Sequence, residues 1–300
     1  MRPAEEGLLL LCCALGQTDV HPLTPSQYSA LAERVVRQDG RADGEVTAEL
    51  LRAIGCKNSE QILSLLDRTE RLHAYLAAQP DITVLTRISE HFPQRLRLLG
   101  KHCPPALFCK GDLSILSMPC VALAGSRAIH PTNRAFAARV GRMAAAEGYA
   151  LVSGNADGAD AAAQEACLLS GGRVIAVLPD ALTRVRAHEN VLYCCDEGYD
   201  CTFSAARALR RNHIIHALGE KSFIVQCEAG KGGSWSGASQ CLRRTGAEVY
   251  VFDDGSDGAQ ALLALGATGV GRNLRCLRAL RPKQLSIFDE NSPDSSFRQI

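Results

Sequence analysis

The sequence predicts an α/β fold in which a doubly wound, mostly parallel sheet follows a small all-helical module. Short, continuous apolar runs alternate with helical patterns between residues 119 and 270, as in parallel sheets that helices cover on both faces. In residues 1–80, apolar side chains recur only at helical spacing. The chain has 300 residues, 46% of them hydrophobic, which is enough for two domains and a large core.

The helical module, residues 1–80, contains four predicted helices. The first is predicted over the apolar stretch 8–15, and one of its faces carries Leu8, Leu11, Cys12 and Leu15. The second begins near Pro25, the third ends at Gly55 and the fourth ends at Pro80. Proline favours helix starts, and glycine or proline commonly follows a helix end. No motif in this module indicates chemistry.

Residues 81–118 are predicted to connect the module to the main domain. Residues 82–85 and 106–109 have the apolar character of short strands, and Pro104 and Pro105 predict a turn before the second.

The main domain, residues 119–270, alternates strands with helices. The predicted strands are 120–124, 149–153, 173–178, 222–227 and 248–252. The predicted helices are 132–147, 157–170, 204–218, 234–245 and 258–265. Residues 281–300 are polar and are predicted to form a disordered tail.

Charge and cysteine content exclude several classes of protein. The net charge is +1, so the chain does not bind nucleic acid or a membrane by bulk positive charge. The 13 cysteines are spread along the chain without zinc-ligand spacing, which favours structural thiols in a reducing compartment. The apolar run 8–15 is too short to span a bilayer. We therefore expect a cytoplasmic protein without membrane or metal.

Ligands of open parallel sheets bind beyond the carboxyl ends of the strands, and three loops there carry unusual residues. Gly125, Ser126 and Arg127 follow the first strand of the main domain. The glycine permits a tight turn, the serine offers a hydroxyl, and the arginine suits phosphate. A surface arginine without a ligand is the alternative.

The second loop begins with Ser153 and Gly154, candidates for phosphate contact and close backbone approach. Asp157 and Asp160 in the same loop are interpreted as residues that cap the next helix and pair with its dipole.

The third loop contains Lys231, Gly233 and Ser234, a flexible segment suited to anions. It is not the P-loop of a nucleoside triphosphatase. That motif needs Gly where this sequence has Val225, and Ser or Thr where it has Gly232.

A basic helix precedes the third loop. Arg207 and Arg211 lie four residues apart, so their side chains share one helix face, with Arg210 beside them. Asn212 belongs to the same stretch. The alternative is an ordinary solvated face. We expect the basic helix and the three loops to meet on one rim of the sheet.

Taken as an ordered set, these segments resemble the DprA/Smf family of DNA-processing proteins. The residues that carry the resemblance are Gly125-Ser126-Arg127, Ser153-Gly154 with Gly158 and Asp160, Gly171 to Leu178, Arg211-Asn212-His213-Ile214-Ile215, and Glu228-Ala229 with Gly233-Ser234. The similarity covers roughly residues 82–252.

The resemblance implies an extended Rossmann-like fold that binds single-stranded DNA. Because the motifs supply no nucleophile–base pair, metal cluster or paired carboxylates among the rim residues, we expect a binding protein, not an enzyme, and no cofactor. The resemblance also implies protection of the strand, assistance in loading RecA recombinase during transformation or recombination, and a homodimer. Arg127 would contact a DNA phosphate, Ser153 and Gly154 would line the pocket, and Arg211, Asn212 and Lys231 would border it.

The sequence departs from the family pattern at several positions. Asp157 and His213 stand where basic residues are common, and Trp235-Ser236-Gly237 lacks the family's threonine. We expect no winged-helix domain after residue 280. The alternative function is a nucleotide sensor or a nucleotide-processing protein of the wider Rossmann superfamily.

One short peptide is independent of the fold. Gln284, Leu285, Ser286, Ile287 and Phe288 resemble the peptide with which bacterial replication and repair proteins bind the sliding clamp. Two apolar anchors on an extended segment can fill a groove of a partner. The alternative is that Ile287 and Phe288 pack back on the protein.

Overall fold

The computed structural model describes residues 1–39, 46–244 and 248–281, which contain one nine-stranded sheet and eleven α-helices. The strands are β1 Thr83–Thr86, β2 Ala106–Lys110, β3 Cys120–Ala124, β4 Ala150–Ser153, β5 Arg173–Val177, β6 Val191–Cys195, β7 Lys221–Ile224, β8 Glu248–Phe252 and β9 Thr268–Val270. The helices are α1 Pro3–Cys12, α2 Pro25–Asp39, α3 Ala48–Ala53, α4 Ser59–Leu66, α5 Thr69–Ala77, α6 Gln94–Arg97, α7 Pro131–Ala146, α8 Ala159–Leu169, α9 Ala205–Leu218, α10 Gly232–Arg244 and α11 Asp257–Ala264.

The strand order explains where a ligand can enter. It runs β1-β2-β6-β5-β4-β3-β7-β8-β9, and all pairs from β6 to β9 are parallel. The chain enters the parallel part in the middle, at β3, moves outward to β6, and then crosses to the other side of β3 with β7. The direction therefore reverses between β3 and β7, where consecutive connections diverge and leave a crevice.

The predicted doubly wound, mostly parallel sheet is confirmed, and it is longer than predicted. β6 lies in a stretch that the sequence presents as irregular, and it joins the antiparallel strands β1 and β2 to the parallel part. β9 extends the other edge. The segment 81–118 thus contributes two strands to the same sheet.

The sheet is buried on both faces, because its strands alternate contacts with helices on either side. On β3, Val121 and Leu123 pack with α7 and α8, whereas Ala122 packs with α9. This two-sided burial accounts for the continuous apolar runs in the sequence.

The first helix differs from its predicted form. It ends at Cys12, and Leu15 lies beyond it with a φ of 56°. Leu8 and Leu11 belong to the core of the helical module, whereas Leu9 and Leu10 pack toward the sheet. α1 is apolar all round because it lies between two cores.

The helical module is fixed to the loop that leads into α9. The Tyr75 ring of α5 stacks on Tyr199 at 4.1 Å, and its hydroxyl donates a 2.6 Å hydrogen bond to Asp200. The module therefore holds the segment between β6 and α9, which borders the candidate site.

All 13 cysteines are free thiols. Cys109 and Cys194 are opposite each other on β2 and β6, with their sulfur atoms 3.6 Å apart. In the ranges given above, no helix is both long and apolar enough to cross a membrane.

Candidate functional site

A cavity of about 540 Å³ opens at the crevice between β3 and β7. Its walls are the loop after β3, the loop between β7 and α10, and the cavity-facing side of α9. This is the place where the reversal of strand order separates the two loops.

Eight of the ten predicted binding residues line this cavity: Gly125, Ser126, Arg127, Arg211, Asn212, Lys231, Gly233 and Ser234. Gly154 instead lines a neighbouring cavity of about 440 Å³, which shares Arg127 and Arg211 with the first. We call these the crevice cavity and the side cavity.

Ser153 lines neither cavity, which corrects its predicted place in the site. It is fully buried, and its hydroxyl accepts a 2.6 Å hydrogen bond from Gln164 of α8. Side chains of a strand alternate between the faces of the sheet, so Ser153 shares the face of Leu151, which packs toward α7 and α8.

Arg211 is the central cation of the site. Its side chain is only 7% exposed, and Nη1 lies 3.8 Å from the Asp160 carboxylate. Its Nε is buried and has no hydrogen-bond partner in the described part of the chain. Burial lowers the Arg211 pKa, a shift that Asp160 opposes. Arg211 lines both cavities, so its guanidinium can contact an anion in either of them.

Asp160 lies in the first turn of α8, as predicted for pairing with the helix dipole, but it does not cap the helix and instead faces Arg211. Gly158, not an aspartate, occupies the N-cap of α8. The Asp160 carboxylate accepts hydrogen bonds from the backbone N–H of Gly154 at 2.9 Å and of Ala156 at 3.4 Å. Burial raises the pKa of Asp160 to about 6. The carboxylate therefore links the loop after β4 to Arg211.

Two glycines let the loops approach each other. Gly154 lies against the Arg211 guanidinium, which a methyl group there would overlap. Gly158 has a φ of +79° and lies against the carbonyl oxygens of Ser126 and Arg127. A side chain at either position would separate these elements.

The N-terminus of α10 closes the third wall. The Ser234 hydroxyl donates a 2.9 Å hydrogen bond to the Gly125 carbonyl oxygen, and Gly233 lies against the Asn212 amide. The first N–H groups of a helix have no partner within the helix and carry partial positive charge. At Gly232 and Gly233 these groups border the cavity.

The charges around the rim are less available than the sequence suggested. Arg207 and Arg210 both pair with Glu197, outside the cavity lining. Lys231 pairs with Glu228 at 2.8 Å, and both side chains are largely exposed. Arg127 is exposed and makes no ion pair with any residue that the structure describes.

Sequence reasoning missed Phe203. This residue is 53% exposed and lines both the crevice cavity and the side cavity. An apolar ring directly before Ser204, the residue that caps α9, was the available signal. It offers a flat apolar surface within a site rich in hydrogen-bond donors.

Comparison with known proteins decides the family. Residues 83–280, which include both cavities and the whole sheet, match the profile of DNA recombination-mediator protein A. The chain belongs to the DNA recombination-mediator protein A family. The predicted resemblance to DprA/Smf proteins is thereby confirmed.

Individual family members are related at moderate identity. Protein Smf of Escherichia coli is 31% identical over 209 residues, which are 63% of this chain and 54% of Smf. The chain thus spans about half the length of this relative.

Two solved structures of family members are similar to this fold. DNA processing protein A of Streptococcus pneumoniae has a TM-score of 0.68 at 23% identity, covering 83% of this chain and 95% of that one. DNA processing protein A of Helicobacter pylori, whose structure concerns single-stranded DNA binding, has a TM-score of 0.54 at 28% identity and covers 63% of this chain and 90% of that one.

Proposed function

We propose that the crevice cavity binds the phosphates of single-stranded DNA and that the protein acts as a DNA-processing mediator of recombination. The observation that carries the proposal is the buried Arg211, which lines the crevice cavity and lies 3.8 Å from the Asp160 carboxylate. A phosphate in the cavity can accept hydrogen bonds from this guanidinium, and an arginine fork fits phosphate in two places at once.

Three further groups support a phosphate in this cavity. The first-turn N–H groups of α10 face it, and Arg127 adds an exposed cation. Ser126 contributes a hydroxyl on the same wall. Helix N-termini combined with arginine are a common anion-binding arrangement.

The apolar part of the site favours a base beside the phosphate. Phe203 and Leu209 are exposed by 53% and 42%, and both line the cavity. Bases stack on aromatic rings regardless of sequence, and single-strand binders combine such rings with a positive groove. The relative from H. pylori, which binds single-stranded DNA by its description, supports the same class of ligand.

The test is a titration of the full chain with labelled oligothymidine at several salt concentrations. If two or three phosphates are contacted, the logarithm of the affinity should fall with the logarithm of salt with a slope of about −1.4 to −2.1. Arg127→Ala should weaken binding. Arg142→Ala is the matched control, because Arg142 is exposed on α7 and lines neither cavity. A flat salt response would contradict phosphate binding.

The alternative of a nucleotide sensor or nucleotide-processing protein is tested in the same series. Thermal shifts are measured with a panel of mononucleotides beside the oligonucleotide. A larger shift with one mononucleotide than with oligothymidine would favour the alternative.

The proposal extends to the family's biology: the protein protects single-stranded DNA, assists the loading of RecA recombinase and acts as a homodimer. Nuclease protection of a bound strand, RecA filament assembly in the presence of the protein and light scattering of the purified chain test these three statements separately.

The proposed sliding-clamp peptide, residues 284–288, lies outside the described residues. Near the last described residues, the backbone N–H groups of Leu277 and Arg278 donate hydrogen bonds to the Glu147 carboxylate. Glu147 precedes β4, so this end lies at the amino edge of the sheet, opposite the crevice cavity. Deletion of residues 282–300 should abolish clamp binding and leave DNA affinity unchanged.

A further inference from the structure

A third cavity of about 480 Å³ lies beside the crevice cavity, along α9 and α10. Its lining contains Leu209 and Gly232, which also line the crevice cavity. We call it the α10 groove. Leu209 and Gly232 therefore lie at the border between the two cavities, and a ligand that extends from one cavity into the other passes over them.

One face of α10 forms the floor of the groove. Trp235, Ser239 and Arg243 lie four residues apart on the helix and all line the groove, as expected for positions that share a helix face. The stripe offers a half-buried indole, hydroxyl and amide groups, and an exposed arginine. From position 235 to 243 it extends about 12 Å at the helical rise.

The side cavity on the opposite flank has a different arrangement of charges. It is lined by the carboxylates of Asp157 and Asp180 together with three arginines, Arg184 and the shared Arg127 and Arg211. The α10 groove has Arg243 and no carboxylate in its lining. A strand that enters the side cavity therefore meets two carboxylates, whereas a strand that enters the α10 groove meets an arginine and no carboxylate.

Resting on the proposed function, we infer that single-stranded DNA held in the crevice cavity continues over Leu209 and Gly232 into the α10 groove, with a base against Trp235 and a phosphate at Arg243. Alternating aromatic and cationic contacts match the alternation of bases and phosphates along a single strand. The α10 groove thereby sets the direction of the strand on the protein and the minimum length for full affinity.

Trp235 is the single tryptophan of the chain, so tryptophan fluorescence, excited at a wavelength that tyrosine does not absorb, reports on this groove alone. The experiment uses the full chain with oligothymidines of about 4 and about 12 nucleotides, within the range that single-strand sites contact. The longer oligonucleotide should quench the fluorescence, and the shorter one should bind in the crevice cavity with little quenching.

Arg243→Ala tests the phosphate contact, because this exposed side chain makes no hydrogen bond or ion pair with the described residues. It should reduce the affinity for the longer oligonucleotide about threefold to tenfold, reduce the salt slope by about 0.7 and leave the shorter one unaffected. Trp235→Leu should reduce the affinity for the longer one about fivefold to a hundredfold, as expected for one lost stack. Arg184→Ala in the side cavity is the matched control and should change neither.

Quenching by the longer strand together with the Arg243 effect supports the inference. Tight binding of both oligonucleotides without quenching, or an Arg184 effect without an Arg243 effect, overturns it and leaves the proposed function standing. Failure of both oligonucleotides to bind overturns the proposed function itself.

Discussion

Arg210 and Arg211 are neighbours in the sequence, and the fold gives them opposite surroundings. The Arg210 side chain is 43% exposed and pairs with Glu197 and Asp196 outside the cavity. The Arg211 side chain is 7% exposed, pairs only at 3.8 Å with Asp160, and lines both cavities. One arginine is neutralised by acidic partners, and the other has binding capacity left for a ligand.

This difference teaches that a cluster of basic residues does not by itself measure the charge offered to a ligand. Successive residues of a helix point about 100° apart, which follows from 3.6 residues per turn. Arg211 is thereby directed toward β4 and α8, whereas Arg210 is directed toward the acidic segment after β6. The same contrast holds between the neutralised Arg207 and the unpaired Arg127.

The largest expected effect separates the two neighbours directly. Arg211→Gln should lower the affinity for oligothymidine about tenfold to a hundredfold, because hydrogen bonds to charged groups contribute about 1.5–3 kcal/mol. Arg210→Gln should change it less than about twofold, since surface ion pairs contribute little. Fluorescence anisotropy at fixed salt measures both.

Removing Arg211 also leaves Asp160 buried without its cation, which destabilises the fold. The double variant Arg211→Gln with Asp160→Asn keeps the pocket neutral and serves as the control. Equal affinity losses for Arg210→Gln and Arg211→Gln would contradict the conclusion that only Arg211 is available to the ligand.

The second prediction displaces Arg211 without removing a charge. Gly154→Ala places a methyl group where the Arg211 guanidinium lies, so affinity should fall about tenfold, the loss of roughly one charged hydrogen bond. Gly7→Ala is the matched control, since nothing lies within 4 Å of that position and alanine is favoured in a helix. Unchanged affinity of Gly154→Ala would show that the position of Arg211 does not matter.

The third prediction concerns pH and compares the carboxylate partners of the two arginines. Burial raises the pKa of both Asp160 and Asp196 to about 6. Protonation of Asp160 removes the negative charge beside Arg211, so DNA affinity should rise about threefold to tenfold as the pH falls from about 7.5 to about 5.5. Asp160→Asn should remove this dependence, whereas Asp196→Asn should retain it.

The same pKa has a consequence for stability. The folded Asp160 keeps its proton up to a pH of about 6, whereas the ordinary pKa of the group is 3.8. The folded state therefore binds more protons between these values, and the contribution of Asp160 to stability declines as the pH rises through this window. Denaturant titrations of the parent and of Asp160→Asn at several pH values measure it.

The smallest expected effect is at Lys231. Its ammonium group pairs with Glu228 on the surface, and this partner raises its pKa. Lys231→Ala should lower affinity about twofold and reduce the salt slope by at most about 0.7. A loss as large as that of Arg211→Gln would mean that exposure, and not burial, decides which cations bind.

Much of the fold could be predicted because its signals are local. The continuous apolar runs of β3, β4 and β5 follow from burial on both faces of the sheet, and their order predicts a crevice at the carboxyl ends. β6 was not predicted, because the segment before it has no periodic pattern and Asp196 follows the strand directly. Its place beside β5 is a long-range pairing.

The site was predicted in outline, and two of its members were misread for physical reasons. Ser153 was expected to line the pocket, yet strand alternation directs it to Gln164. Asp160 was interpreted as a residue that caps α8 and pairs with its dipole. It does lie in the first turn of α8, yet its carboxylate also bonds the loop after β4 and faces Arg211. Both outcomes depend on α8 and α9 packing on opposite sides of β4, which is not a property of either segment alone.

The sequence by itself determined the doubly wound sheet, the three loops at its carboxyl edge and the family, because periodicity and motif order are properties of consecutive residues. The tertiary structure decided which cations are free. Ion pairs such as Arg210 with Glu197 and Arg211 with Asp160 join segments from different strands and helices. Whether a charge is neutralised, buried or offered to a ligand depends on distances of a few ångströms that only folding creates.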